Sequence, residues 1–188
     1  MSEDVAEHTP NAVELLDALR VLEGRCLMHA AGLPQPEAPQ DVWAGVLFRV
    51  GPAAFLAPIE EIGEMLEAPR DITPVPCAKP WVCGMSNNRG ILLPIFDLRA
   101  YLFGAPSARN ARNRVLVVRH DEFPFGLLVA DVVGIRHFEA SAREPTAPNQ
   151  GAGIDDLLDG SFRLGVDCFP VFSVRRLGVD AKFNLAAA

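Results

Sequence analysis

Two sets of short hydrophobic segments, separated by glycine, proline and polar residues, run through the chain from residue 43 onward. In the first of them Val46, Phe48 and Val50 alternate with other residues, which is the spacing of a strand with one buried face. The segments predicted to be strands are 43–50, 55–58, 81–85, 91–96, 115–118, 125–129, 132–138, 160–166 and 168–174. Short strands at regular spacing with little helix between them predict small, mostly antiparallel barrels. The expected fold class is therefore mainly β.

Two places in this pattern are special. Residues 59–66 (IEEIGEML) are compatible with either a short helix or an irregular strand, because Gly63 interrupts both patterns. Gly134 lies inside the predicted strand 132–138, at a position where barrel strands often bend.

A helical periodicity precedes the strands. Asn11 and Glu14 have the spacing of a capping box. The apolar residues of the stripe that follows are Leu15, Leu19, Leu22 and Cys26. The pattern predicts an amphipathic helix to about Ala31, so residues 1–40 form an N-terminal helical extension and a proline-rich linker. We expect the helix to dock on the chain's own barrel rather than on a partner, because an exposed apolar stripe favours aggregation.

The segment 79–103 (KPWVCGMSNNRGILLPIFDLRAYLF) predicts a β-hairpin with an arginine, Arg89, at its tip. Asn87 and Gly90 are expected to form the turn, because asparagine and glycine tolerate positive φ angles. Asp97 is expected to cap a short helix, 98–103, which Gly104 ends.

Apolar residues beside the hairpin are candidate anchors for a partner. Val82, Ile95 and Phe96 are the candidates. Strand alternation puts Ile95 and Phe96 on opposite faces, so we expect at most one of these two to line the core. The other would then lie exposed beside polar residues, which is typical of an interface.

Net charge and hydropathy exclude two classes of partner. The 188-residue chain carries a formal charge of −7, whereas a nucleic-acid binder needs a basic face. The N-terminus is acidic where a signal peptide is basic, and no apolar run reaches the roughly 18 residues of a membrane span. The sequence therefore predicts a cytoplasmic protein without direct membrane insertion.

The residues with reactive side chains are scattered. The four cysteines and four histidines show no metal-ligand spacing, and we expect buried free thiols, no metal and no cofactor. Motifs of nucleophilic, phosphate-binding and zinc-peptidase sites are missing from the sequence, so we do not expect an enzyme. A basic run, comprising Arg109, Arg112 and Arg114, is interpreted as a solvated loop, with a contact to an acidic partner surface as the minor option.

The hairpin motif G-x-x-N-x-R-G-x-x-x-P-I-x-D-L-R, from Gly84 to Arg99, resembles the CheW family. The resemblance extends over residues 41–179 and is sharp around the hairpin. It implies a non-catalytic adaptor that joins a methyl-accepting chemoreceptor to a histidine kinase. The lead-in Lys79-Pro80-Trp81-Val82 and the helical extension resemble adaptors of type IV pilus (twitching) chemosensory systems.

The resemblance also implies an architecture and partners. The expected domain, 41–180, consists of two five-stranded SH3-like barrels, the first over about 41–104 and the second over about 105–180. The implied partners are the cytoplasmic signalling tip of a chemoreceptor and the CheW-like regulatory domain of a CheA-like kinase. The chain is implied to bind them in membrane-associated arrays. Two alternatives stay open, namely an adaptor of another chemotaxis pathway and a small β-barrel enzyme or ligand-binding protein.

Two roles are open for Arg89. Its guanidinium can bind a partner's carboxylate, or it can form an internal ion pair with Glu60 or Glu61. By resemblance, this arginine is needed for assembly and Glu61 is implied to pair with it. The expected partner-binding residues are Arg89, Asn88, Asn87, Val82, Ile95 and Phe96. The residues expected to support the hairpin are Glu61, Gly90 and Asp97.

Overall fold

A computed structural model describes residues 16–22, 41–119, 123–151 and 153–185. The chain divides into two compact units, Met1–Gln40 and Asp41–Ala188. In the first unit residues 16–22 form a helix, α1, in which Leu19 and Leu22 are more than half exposed. The other residues of the predicted N-terminal helix, and the linker, lie outside the described residues. The docking of this helix stays a prediction.

The second unit is built from strands with short helices between them. The strands are β1 (Val42–Val50), β2 (Ala53–Pro58), β3 (Ile62–Glu67), β4 (Val82–Asn88), β5 (Ile91–Asp97), β6 (Arg114–Val118), β7 (Phe125–Val129), β8 (Asp131–Glu139), β9 (Leu158–Leu164) and β10 (Asp167–Phe172). The helices are α2 (Leu98–Phe103), α3 (Val174–Val179) and α4 (Ala181–Asn184), with 3-10 turns at Ile59–Glu61, Ala140–Ala142 and Asp155–Leu157. The mainly β prediction is confirmed.

The strands form two five-stranded sheets that curl into small barrels. The first sheet has the order β8-β1-β2-β10-β9 and the second has the order β3-β6-β7-β5-β4. The chain leaves the first sheet after β2, completes the second and then returns. The strands therefore do not divide between barrels at about residue 104, as the sequence analysis expected. That expectation grouped strands by sequence position, whereas the parallel pairs β2–β10 and β5–β7 join distant segments.

Three hydrophobic clusters follow from strand alternation. One fills the second barrel and contains Leu93, Ile95, Val115, Val117 and Leu128. One fills the first barrel and contains Leu47, Leu56, Phe162 and Val171. The third, called here the shared core, draws side chains from both sheets and includes Phe48, Phe55, Phe96, Phe125 and Phe172. Strands such as β7 are buried on both faces, which explains their uninterrupted apolar sequence.

The same alternation corrects the expectation for β5. Ile95 is 0% exposed inside the second barrel, and Phe96 is 7% exposed in the shared core. The prediction that at most one of them lines the core is wrong. Each face of β5 packs against a different cluster, so neither side chain is an exposed anchor.

Each barrel carries an isolated backbone bridge at the outer edge of one of its end strands. Thr73 and Met85 exchange two hydrogen bonds of 2.8 Å at β4, and Glu144 and Ser161 exchange bonds of 2.8 and 2.9 Å at β9. In each strand the bridged residue, Met85 or Ser161, is preceded by a glycine with positive φ. The φ angle is 135° for Gly84 and 78° for Gly160. A Cβ atom on these glycines would overlap the carbonyl oxygens of Thr73 and Glu144, respectively. Glycine therefore permits the approach that covers each sheet edge.

We predict that Gly84→Ala and Gly160→Ala each lower the free energy of unfolding by more than about 2 kcal/mol, because the side chain strains the backbone and displaces the bridge. Gly165→Ala is the control, since its φ is 64° but no atom lies within 4 Å of its Cβ position. It should lose only about 1–2 kcal/mol. Urea unfolding measures all three, and equal losses in the three variants would contradict the role assigned to the bridges.

Candidate functional site

The predicted hairpin is confirmed. β4 and β5 pair from Val82↔Phe96 to Asn88↔Ile91 and are joined by the two-residue turn Arg89-Gly90. Both turn residues have positive φ, 53° and 87°, as a type I′ turn requires. The side-chain oxygen of Asn87 accepts the Gly90 N–H at 2.7 Å, so this asparagine stabilises the turn from within β4.

An ion pair joins the hairpin tip to β3. Nη2 of Arg89 lies 2.7 Å from Oε1 of Glu64, and the Asn88 side-chain amide donates to Oε2 of Glu64 at 3.3 Å. β3 and β4 are the two end strands of the second sheet, so these contacts link its two ends. The Arg89 side chain remains 79% exposed, which leaves donor N–H groups accessible. An exposed pair of this kind contributes about 0–1 kcal/mol to stability.

The prediction that Glu61 supports the hairpin is wrong. Its Oε2 accepts the backbone N–H groups of Val174 and Arg175, at 2.8 and 3.2 Å, at the start of α3. Glu61 ends a 3-10 turn before β3 begins, whereas Glu64 lies within the strand and reaches Arg89. The acidic pair at 60–61 was the predicted partner, whereas the carboxylate that pairs with Arg89 lies three residues further on, at Glu64.

The exposed apolar residues of the hairpin are not those predicted. Val82 is half-buried and packs against the shared core, and Ile95 and Phe96 are buried. Ile91 and Leu92 are instead 57% and 67% exposed. Both follow the turn directly, where β5 has not yet reached the buried clusters, so both faces of the strand meet solvent. The run Ile91-Leu92 immediately after the turn was the available sequence signal.

Asp97 stabilises the base of the hairpin. Its Oδ1 accepts the N–H groups of Arg99 and Ala100 at 3.0 and 3.1 Å, which confirms the predicted cap of α2, and Gly104 ends the helix with φ 67°. Oδ2 accepts the Ser107 N–H at 2.7 Å. The Asp97 N–H donates to the Trp81 carbonyl at 2.7 Å, so the residue joins the end of β5 and the segment leading into β4 to α2.

Reactive groups do not assemble into a centre in the part of the chain that the structure describes. No group of three or more histidine, cysteine, aspartate or glutamate residues there could hold a metal. Burial, with a smaller contribution from Asp97 and opposed by Arg109, raises the pKa of Cys83 to about 11, so this thiol is not a nucleophile at neutral pH. Cys77 is exposed, contrary to the expectation of buried thiols. Among the described helices none is long and apolar enough to cross a membrane.

Comparison with known proteins identifies the family. The model of the CheW-like domain matches residues 44–180. PilI from Pseudomonas aeruginosa is 39% identical over 75% of this chain and 79% of its own length.

The chain belongs to the CheW-like family.

Two further relatives agree with this membership. FrzA from Myxococcus xanthus is 28% identical over 59% of this chain and 69% of its own length. The structure of the scaffolding protein TtCheW from Thermoanaerobacter tengcongensis aligns with a TM-score of 0.63 at 21% identity, covering 76% of this chain and 97% of that chain. At this identity the structural likeness shows the fold.

Family membership decides the functional class. CheW-like proteins are non-catalytic scaffold and adaptor proteins, so this chain is an adaptor and not an enzyme. The chemistry that matters is therefore recognition, and the hairpin with Arg89, Ile91 and Leu92 is the candidate surface.

We predict that Glu61→Ala lowers the free energy of unfolding by about 1 kcal/mol, because it removes the acceptor of two N–H groups at the start of α3. Glu64→Ala should lose less, since its ion pair with Arg89 is exposed. Glu60→Ala, an exposed neighbour, is the matched control and should be neutral. Urea unfolding gives the order, and a larger loss for Glu64→Ala than for Glu61→Ala would contradict this assignment.

Proposed function

We propose that this chain couples the cytoplasmic signalling tip of a methyl-accepting chemoreceptor to a CheA-like histidine kinase, in a pilus-type array that controls twitching motility. Its similarity to PilI, at 39% identity, supports the pilus-type pathway, and its similarity to FrzA supports a role in motility signalling. The array would lie at the cytoplasmic face of the membrane, to which the chain is recruited by its partners.

One observation carries the proposal most directly. Beside an exposed arginine, the hairpin presents two consecutive apolar side chains, Ile91 and Leu92, one on each face of β5 and each more than half exposed. Large apolar groups next to a guanidinium are typical of binding surfaces, where the apolar groups supply affinity and the arginine supplies orientation. The turn geometry and the contact to Glu64 hold these groups in a defined arrangement before binding.

The proposed mechanism is architectural. The two barrels share one hydrophobic core, so a surface on one barrel keeps a fixed geometry relative to the other. One surface would bind the receptor tip and another the CheW-like domain of the kinase, and small shifts in the receptor would reach the kinase through this rigid body. Weak contacts suffice, because an array supplies a high effective concentration of each partner.

We predict that Leu92→Ser weakens binding of a purified receptor signalling tip or of the CheW-like domain of the kinase by at least about tenfold, because it removes an exposed apolar anchor. Leu164→Ser is the matched control, since Leu164 is 51% exposed on β9 of the other barrel. This variant should keep normal binding of the partner that the Leu92 variant binds weakly. Titration calorimetry of each pair measures the effect. Unchanged binding of both partners by the Leu92 variant would contradict the proposed surface.

A charge exchange separates the two roles of Arg89. If Arg89 contacts a partner carboxylate, Arg89→Glu abolishes binding and the double variant Arg89→Glu/Glu64→Arg does not restore it, although the internal ion pair is re-formed. We expect this result, because the Arg89 side chain is 79% exposed. Full restoration by the double variant, with circular dichroism unchanged throughout, would assign Arg89 to the hairpin's internal support instead.

A further inference from the structure

A second candidate binding site lies between the end of β3 and the loop that leads into β6. It is a cleft of about 550 Å³. Its lining residues are Glu67, Ala68, Pro69, Arg70, Arg109, Asn110, Ala111 and Asn113. None of them belongs to the hairpin tip, so this cleft is separate from the candidate surface formed by Arg89, Ile91 and Leu92.

The loop wall of the cleft is held in place by reciprocal hydrogen bonds. Asn113 is 2% exposed; its Oδ1 accepts the Asn110 N–H at 2.5 Å, and its own N–H donates to the Asn110 carbonyl at 3.2 Å. The Asn113 carbonyl in turn accepts the Ala68 N–H at 3.2 Å, which ties the loop to the segment that follows β3. The cleft is therefore built before any ligand arrives, and binding need not order the loop.

The three arginines of the basic run take different positions. Nη1 of Arg114 donates to the carbonyls of Ala111 and Asn113, at 2.9 Å each, and so supports the loop. The backbone N–H of Arg112 donates to Asn110, and its side chain does not line the cleft. Arg109 lines the cleft together with a second arginine, Arg70, that comes from the segment following β3. Only Arg109 of the basic run lines the cleft, and the second arginine there, Arg70, lies far from it in the sequence. The basic run alone therefore did not predict the site.

The charges in the cleft define the ligand. In the part of the chain that the structure describes, neither Arg70 nor Arg109 has an ion pair, and both side chains are exposed. The chain as a whole carries a formal charge of −7. The two guanidiniums and the Glu67 carboxylate give the cleft lining a formal charge of +1. A single carboxylate matches this charge and the forked donors of arginine, whereas a phosphate dianion would meet Glu67 with excess negative charge.

We propose that this cleft binds a glutamate or aspartate side chain on an extended peptide segment of a partner protein. Its volume exceeds that of a single ion and suits a segment of a few residues. Arg70 and Arg109, which come from different segments of the lining, would both bind the carboxylate, and the backbone of the peptide would occupy the remaining space. This inference goes beyond the adaptor function proposed above and does not depend on which chemoreceptor or kinase the chain meets.

The test is an NMR titration of the full-length, 15N-labelled chain with the blocked peptide acetyl-Ala-Glu-Ala-amide. We expect saturable shifts of the backbone amides of Arg70, Asn110 and Ala111. The matched peptide acetyl-Ala-Gln-Ala-amide should give no saturable shift. The double variant Arg70→Gln/Arg109→Gln should raise the dissociation constant at least tenfold, because it removes both guanidiniums. The control variant Arg112→Gln should bind as the wild type does.

Several results would overturn the proposal. These are the absence of saturable shifts with the glutamate peptide, equal shifts with the glutamine peptide, and an unchanged dissociation constant in the double variant. Tighter binding of inorganic phosphate than of the glutamate peptide would overturn the carboxylate assignment. The dispersion of the amide spectrum shows that each variant is folded. Because no receptor or kinase is present, failure here leaves the adaptor proposal standing.

Discussion

The two isolated bridges, Thr73–Met85 and Glu144–Ser161, are the contacts on which the rest of this architecture depends. Each lies at the outer edge of an end strand, and each follows a positive-φ glycine whose missing side chain makes room for a carbonyl oxygen. A sheet of five strands has two edges with unpaired backbone groups, which would otherwise pair with other chains. The same solution in both barrels gives the protein a structural repeat that its sequence does not show.

The recognition surface depends on the same contacts. Met85 belongs to β4, so the bridge that covers this edge also holds the strand that ends at Asn88 and Arg89. From the other end of the sheet, Glu64 contacts the tip, while Asp97 joins the base to α2. The exposed pair Ile91 and Leu92 is therefore presented by a hairpin that is anchored at its edge, tip and base. An adaptor without catalysis needs this kind of rigidity, since geometry is what it transmits.

Local features of this fold were predictable from sequence, and non-local ones were not. The hairpin of β4 and β5, the Asp97 cap and the bend at Gly134, where the β1–β8 register shifts and φ is 140°, each follow from residues close in the chain. The positive φ expected at Asn87 occurs instead at Arg89, and Asn87 supports the turn through its side chain. The pairing of β2 with β10 and the burial of both faces of β5 depend on segments far apart, which strand alternation cannot assign. The same limitation produced the wrong partner for Arg89, because the choice between Glu61 and Glu64 depends on where β3 begins.

The most direct test of the central claim is native-state hydrogen exchange at the bridge amides of Thr73, Met85, Glu144 and Ser161. If the bridges hold the barrels closed, these amides exchange only through global unfolding, at rates close to those of interior-strand amides such as Leu116. Exchange as fast as that of an exposed turn amide such as Val166 would contradict the account. It would show that both barrel edges open freely in the native protein.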